Sequence, residues 1–127
     1  LAKNYEPDVT IIEPTGVAVP SAIKEAVGLE ASKTKITFGP IIVLFDTTRA
    51  EKFLNYDTLK RLVSTQLRDA DIIALNKVDA ASKEKIKDSK ESAHLINPKA
   101  KIMELSSHTG EGLGSIVDAV RDLTVGD

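Results

Sequence analysis

Ile72-Ile73-Ala74-Leu75-Asn76-Lys77-Val78-Asp79 is the stretch that decides how this chain folds. Four apolar residues in a row suit a strand covered on both faces, as in the middle of a parallel sheet. The run stops at Asn76, and a turn carrying a lysine and an aspartate follows at once. Upstream, Leu59, Leu62, Val63 and Leu67 recur at i, i+3, i+4 and i+8, the spacing of a helix with one buried face. Asp57 is the expected N-cap of that helix, and Ala70-Asp71 the turn out of it.

The same alternation continues in both directions. Val9 to Ile12 is β-branched throughout and ends in Glu13-Pro14-Thr15-Gly16, which predicts a buried parallel strand followed by a turn. Pro20-Ser21 opens a helix with Ala22, Ile23, Ala26 and Val27 on one face, and Gly28 either ends or weakens it. Ile41 to Phe45 is a second apolar run, closing on Asp46. Ser82 to Leu95 is dominated by Lys, Glu and Ser, a helix whose Lys83 to Glu91 stretch is a solvated face. Lys101 to Leu105 is a fourth strand, and Leu113, Ile116, Val117, Val120 and Leu123 mark an amphipathic closing helix. Strand and helix alternate four times, with crossovers long enough for parallel strands. The expected fold class is α/β, a doubly wound, mostly parallel sheet of four βα units. Ligands on such sheets sit at the carboxyl ends of the strands.

Composition bounds the function. The chain has 127 residues, the length of a single domain spanning 1–127, with 42% hydrophobic and 28% charged residues, as in a globular protein. A net charge of -2 supplies no excess of cations for a run of phosphates, so nucleic acid and anionic membrane are excluded as expected partners. With no cysteine there is neither a disulfide framework nor a thiolate metal site. His94 and His108 have no second ligand at metal-site spacing and read as polar surface residues. No bilayer-length apolar run and no signal segment occurs, which makes the expected localisation cytoplasmic. Leu1 in place of Met, and a short lead into an apolar strand, read as a piece of a longer chain.

The Asn76-Lys77-Val78-Asp79 turn carries the most specific chemistry. Guanine presents two adjacent donors, N1-H and the exocyclic amine, and one carboxylate accepts both in a charge-assisted pair. Asp79 suits that task. Adenine turns an acceptor toward the same carboxylate, so it meets repulsion and an unmade bond. Asn76 can tie the loop and the base together, and the Lys77 stem can lie along the base plane. The bland alternative for this pattern is a solvated turn.

Two further motifs end strands in the same way. Ser106-Ser107-His108-Thr109-Gly110-Glu111-Gly112 is similar to the second guanine loop of GTPases, in which the backbone N-H of the second residue, here Ser107, donates to the guanine carbonyl oxygen. Alanine is more usual there, but a main-chain bond survives the change to serine. Ser106 and Ser107 therefore join Asn76, Lys77 and Asp79 as expected nucleotide-binding residues. Glu13-Pro14-Thr15-Gly16 stands where most GTPases carry Asp-x-x-Gly.

With Glu in that place, a small residue and Pro20 after it, a strand ending in Asp46, then Gln66 and Ala70-Asp71 before Asn76-Lys77-x-Asp79, the chain resembles the CobW/HypB/UreG family of P-loop GTPases, in its CobW-like branch. The resemblance implies the C-terminal portion of a P-loop GTPase domain, that is, a partial P-loop NTPase fold. It implies binding of GTP and GDP with Mg²⁺, and hydrolysis coupled to metal insertion or to cobalamin or other metallocofactor assembly. Glu13 would then stand near Mg²⁺ or the attacking water, and Gly16 near the γ-phosphate. The implied partners are guanine nucleotide and a metalloprotein or cofactor-assembly client, with Zn²⁺, Co²⁺ or Ni²⁺ cargo bound outside these residues.

The Gly-rich phosphate loop of the family, with its Lys and Ser/Thr, does not occur in this sequence, nor does the family's cysteine metal motif. GTP hydrolysis by these residues alone is therefore not expected. Pro14 also removes one backbone donor beside the phosphates. In P-loop folds the phosphate-loop strand lies beside the Glu-x-x-Gly strand in the middle of the sheet. Without it, either the Val9 and Ile41 strands close up or an apolar edge is left open, and an open edge predicts a homodimer or poor solubility. The alternative function is a non-catalytic interaction module that retains the GTPase fold.

Overall fold

The computed structural model describes residues 7–31 and 36–124. The expectations attached to Leu1 and to the lead-in before Pro7 lie outside them, as does the side chain of Leu123. The elements run α1 (Pro20–Ala31), β1 (Ile42–Asp46), α2 (Ala50–Asn55), α3 (Asp57–Asp69), β2 (Ile72–Asn76), α4 (Lys83–Ile96), β3 (Lys101–Glu104) and α5 (Leu113–Thr124). The sheet has the order β1-β2-β3 and is parallel throughout.

The stretch that decides the fold forms its centre. Ile73, Ala74 and Leu75 are wholly buried and Ile72 nearly so, because β2 is flanked by a strand on each side and covered on both faces. Register places Val43 beside Ile73 and Phe45 beside Leu75 on one face. There they pack with Ala50 and Phe53 of α2, Val63 and Leu67 of α3 and Ala93 and Ile96 of α4. The opposite face is thinner. Ile42, Ile72 and Met103 pack with Ile116 and Ala119 of α5 there, and Leu44, on that face at the β1 edge, is 63% exposed. Helices on both faces of a parallel sheet make the fold α/β and doubly wound, as the alternation predicted.

The sheet departs from expectation at one strand. Val9 to Ile12 is not a strand: it is irregular, and Ile11 is 89% exposed. A strand lasts only where its backbone groups find a ladder partner. The outer edge of β1 does not bind this segment, so three strand-helix units form in place of four.

Smaller corrections concern helix ends. Asp57 is the first residue of α3, and Tyr56 occupies the cap position without a side-chain bond. A carboxylate in the first turn still favours the helix through its dipole. Gly28 does not stop α1, which runs on to Ala31. Ser82 caps α4, accepting from Lys85 N at 3.3 Å. No helix among the described residues is long and apolar enough to cross a membrane.

Candidate functional site

The carboxyl ends of β2 and β3 bring two of the three sequence motifs together. Asn76 ends β2, and its side chain ties them: Oδ1 accepts from Lys77 N at 2.8 Å and from Ser107 N at 3.0 Å, while Nδ2 donates to Ser107 Oγ at 3.1 Å. Val78 N adds a main-chain bond to Leu105 O at 3.3 Å. Lys77 lies between these anchors with φ of 66°, a left-handed conformation uncommon for a residue with a side chain. Such local strain persists where surrounding bonds hold it, as they do here, and it clusters at binding sites.

Within this frame the expected residues divide by role. Asp79 is exposed, and its carboxylate has no hydrogen-bond or ion-pair partner among the described residues, so it is an acceptor open to solvent. Ser107 presents its hydroxyl and amide, both already engaged by Asn76. The next amide, of His108, has no acceptor among the described residues and is an available donor on the same turn. Ser106 faces inward. It is fully buried, its Oγ accepts from Thr109 N at 3.1 Å, and its main chain bonds Glu111 O and Gly110 N, so it braces the loop from beneath.

Gly112 completes that loop. Its φ is +75°, and a Cβ there would overlap the carbonyl oxygen of Glu104 and meet the Cα of Leu105 at 3.1 Å. The chain can therefore press against the end of β3 only because residue 112 has no side chain.

Residues at the end of β1 complete the constellation, and sequence reasoning gave them no role. Thr47 is buried and donates from both N and Oγ1 to Asn76 O, at 3.2 and 2.8 Å. Asp46 is in register with Asn76. Its Oδ2 accepts from Lys77 Nζ at 2.7 Å, and its Oδ1 accepts from Thr48 N at 2.9 Å and Thr48 Oγ1 at 2.6 Å. Partial burial pushes the Asp46 carboxyl up, but the bonds from Lys77 and Thr48 and the Lys77 charge outweigh it and hold the group below its ordinary value. The signal available in sequence was Asp46 closing an apolar run just as Asn76 does.

The third motif is anchored differently. Glu13 and Gly16 are exposed in irregular chain, and Glu13 has no polar partner among the described residues. The segment after Glu13 is nevertheless tied to α3. Gln66 Nε2 donates to Gly16 O and Ala18 O, each at 2.9 Å, and Asp69 Oδ2 accepts from Ser21 N at 3.0 Å. Among the described residues no three His, Cys, Asp or Glu side chains converge as metal ligands.

In the solved structures, the chain is similar to the hydrogenase maturation factor HypB from Archaeoglobus fulgidus, at 32% identity and a TM-score of 0.47. The match covers 65% of this chain and 39% of that one, so this chain spans well under half of its length. The family model described as CobW/HypB/UreG, nucleotide-binding domain, matches residues 1–104. That range holds Glu13 to Gly16, Asn76 to Asp79 and all three strands, and it ends where β3 ends. By that match, the chain belongs to the CobW/HypB/UreG nucleotide-binding domain family.

Proposed function

We propose that this chain is the guanine-reading portion of a GTPase that couples GTP hydrolysis to metal insertion or to cobalamin or other metallocofactor assembly. The observation that carries the reading is the open Asp79 carboxylate, held beside the Asn76–Ser107 tie at the carboxyl ends of a parallel sheet, in a chain of this family. An unpaired acceptor on one turn and an amide donor at His108 on the other, the two turns being tied through Asn76, suit the edge of guanine, which offers two donors and, beside them, a carbonyl acceptor. The expected carbonyl donor, Ser107 N-H, is shared with Asn76 Oδ1, so His108 N-H takes part of that bond.

The fit differs for the two implied ligands. The base finds matching groups. Mg²⁺ demands near-octahedral oxygen ligands, drawn largely from phosphates and water; among the described residues no carboxylates converge to hold it, and Glu13 would stand near it by resemblance to the family. The chemistry of these residues is therefore base recognition. Metal cargo and client protein belong to the longer GTPase of which we take this chain to be part.

The chain on its own is expected to show weak or undetectable GTP turnover. A turnover assay on the purified chain and on Glu13→Ala checks this. Equal, substantial hydrolysis by both would refute the assignment of Glu13. The open edge of β1 and the exposed Val9 to Ile12 favour a second component of the reading, that this edge accepts a further strand and drives self-association when none is supplied.

A further inference from the structure

An ion pair joins Lys77 to Asp46 at the mouth of the candidate site, and neither the family match nor the sequence motifs give it a role. Asp46 ends β1 directly opposite Asn76, and Lys77 reaches back from β2 across the carboxyl edge of the sheet to meet it. The two oxygens of Asp46 divide their partners. Oδ1 is fixed by the amide and hydroxyl of Thr48, which leaves Oδ2 aimed at the Lys77 ammonium. The acceptor is the better-covered member of the pair, with 19% of its side chain exposed against 49% for the lysine. A better-covered acceptor thus holds the more exposed donor. The other aspartates bonded near the sheet work elsewhere: Asp71 Oδ2 accepts from Ile41 N ahead of β1, and Asp69 holds α1.

A free lysine stem samples many rotamers, and fixing it on ligand binding costs entropy. A stem already fixed at both ends has lost that freedom before the ligand arrives. Lys77 is fixed at its amide by Asn76 and at its ammonium by Asp46, and it lies two residues from the open carboxylate of Asp79. We propose that Asp46 is a positioning residue for nucleotide binding, anchoring the Lys77 ammonium so that the lysine stem is set along the base before the base binds. The proposal rests on the guanine reading above.

The test is a double-mutant cycle read by NMR shift titration with GDP and with ADP, which detects weak binding. Wild type, Asp46→Asn, Lys77→Met and the double variant are compared, with melting temperatures alongside. Asp46→Asn is expected to weaken GDP binding about fivefold, the upper range for a partly exposed ion pair. If Asp46 acts through Lys77, the double variant binds GDP no more weakly than Lys77→Met alone. Asp46→Glu, which keeps the carboxylate, is expected to recover most of the loss. Should Asp46→Asn fail to fold, Thr48→Val, which removes the hydroxyl bond to Oδ1 and keeps the amide one, is expected to give a smaller loss in the same direction. Additive losses in the cycle, or unchanged GDP affinity in Asp46→Asn and Thr48→Val while wild type prefers GDP to ADP, would overturn the role of Asp46 alone. A wild-type chain that binds GDP no better than ADP would overturn the guanine reading, and this assignment with it.

Discussion

At the scale of single residues, the site is a set of side chains that hold backbone in place around one that holds nothing. Asn76, Thr47 and Ser106 are each engaged by main-chain partners, whereas Asp79 is left open. Gly112 shows how strictly backbone sets the second loop. Gly112→Ala would place a Cβ against the carbonyl of Glu104 at a backbone conformation unfavourable for alanine, and is expected to destabilise the chain by about 2–4 kcal/mol. Chemical denaturation of the two proteins measures this, and an unchanged midpoint would show that the loop packs otherwise. The placing of Asn76, Lys77 and Asp79 on one turn at the end of β2 was legible because an apolar run stops at Asn76. Ser106 was legible as part of a motif but not as a buried brace, since a serine in a Gly-containing loop carries no mark of which way it faces. The Lys77–Asp46 pair was not legible, because it depends on the register of two strands separated by a helical crossover.

At the scale of elements, hydrophobic period foretold most of the chain and failed where a neighbour decides the outcome. β2 and α3 followed from their apolar spacing, and α4 from Ser82 and its polar run. The helix α2 was missed. Its six residues are too short for a period to emerge, and it stands because Ala50, Phe53 and Leu54 pack under the sheet. Val9 to Ile12 was read as a strand because a short apolar, β-branched run ends there in a turn, but such a run favours extended chain without supplying a partner. Asn97 was overlooked as well, although it joins three elements. Its Nδ2 donates to Leu67 O, Arg68 O and Ala70 O at the end of α3, and its Oδ1 accepts from Lys99 N and Ala100 N ahead of β3. Asn97→Ala leaves these buried groups without their partner. It is expected to cost about 2–4 kcal/mol, read as a lower urea midpoint, and a loss too small to measure would contradict this role.

At the scale of the whole molecule, the same sheet carries the candidate site on one edge and leaves another edge exposed. The carboxyl ends of all three strands carry the candidate site, while the outer side of β1 has no strand beside it among the described residues. Leu44 and Ile11 add exposed apolar surface. The chain is expected to self-associate with rising concentration in sedimentation experiments, and Leu44→Lys to reduce it, since charge at an edge opposes strand addition. A wild-type chain monomeric at every concentration would exclude the open edge as an association surface. Base recognition is the central claim, and Asp79 is where it is most exposed to test. Xanthine carries a carbonyl oxygen in place of guanine's exocyclic amine, so an asparagine amide at position 79 suits it as the carboxylate suits guanine. The decisive measurement is the affinity of wild type and Asp79→Asn for GDP, ADP and xanthosine diphosphate. Wild type should prefer GDP, and Asp79→Asn should lose about tenfold or more for GDP while gaining for xanthosine diphosphate, with its melting temperature preserved. Equal binding of GDP and ADP by wild type, or an unchanged preference in Asp79→Asn, would contradict it.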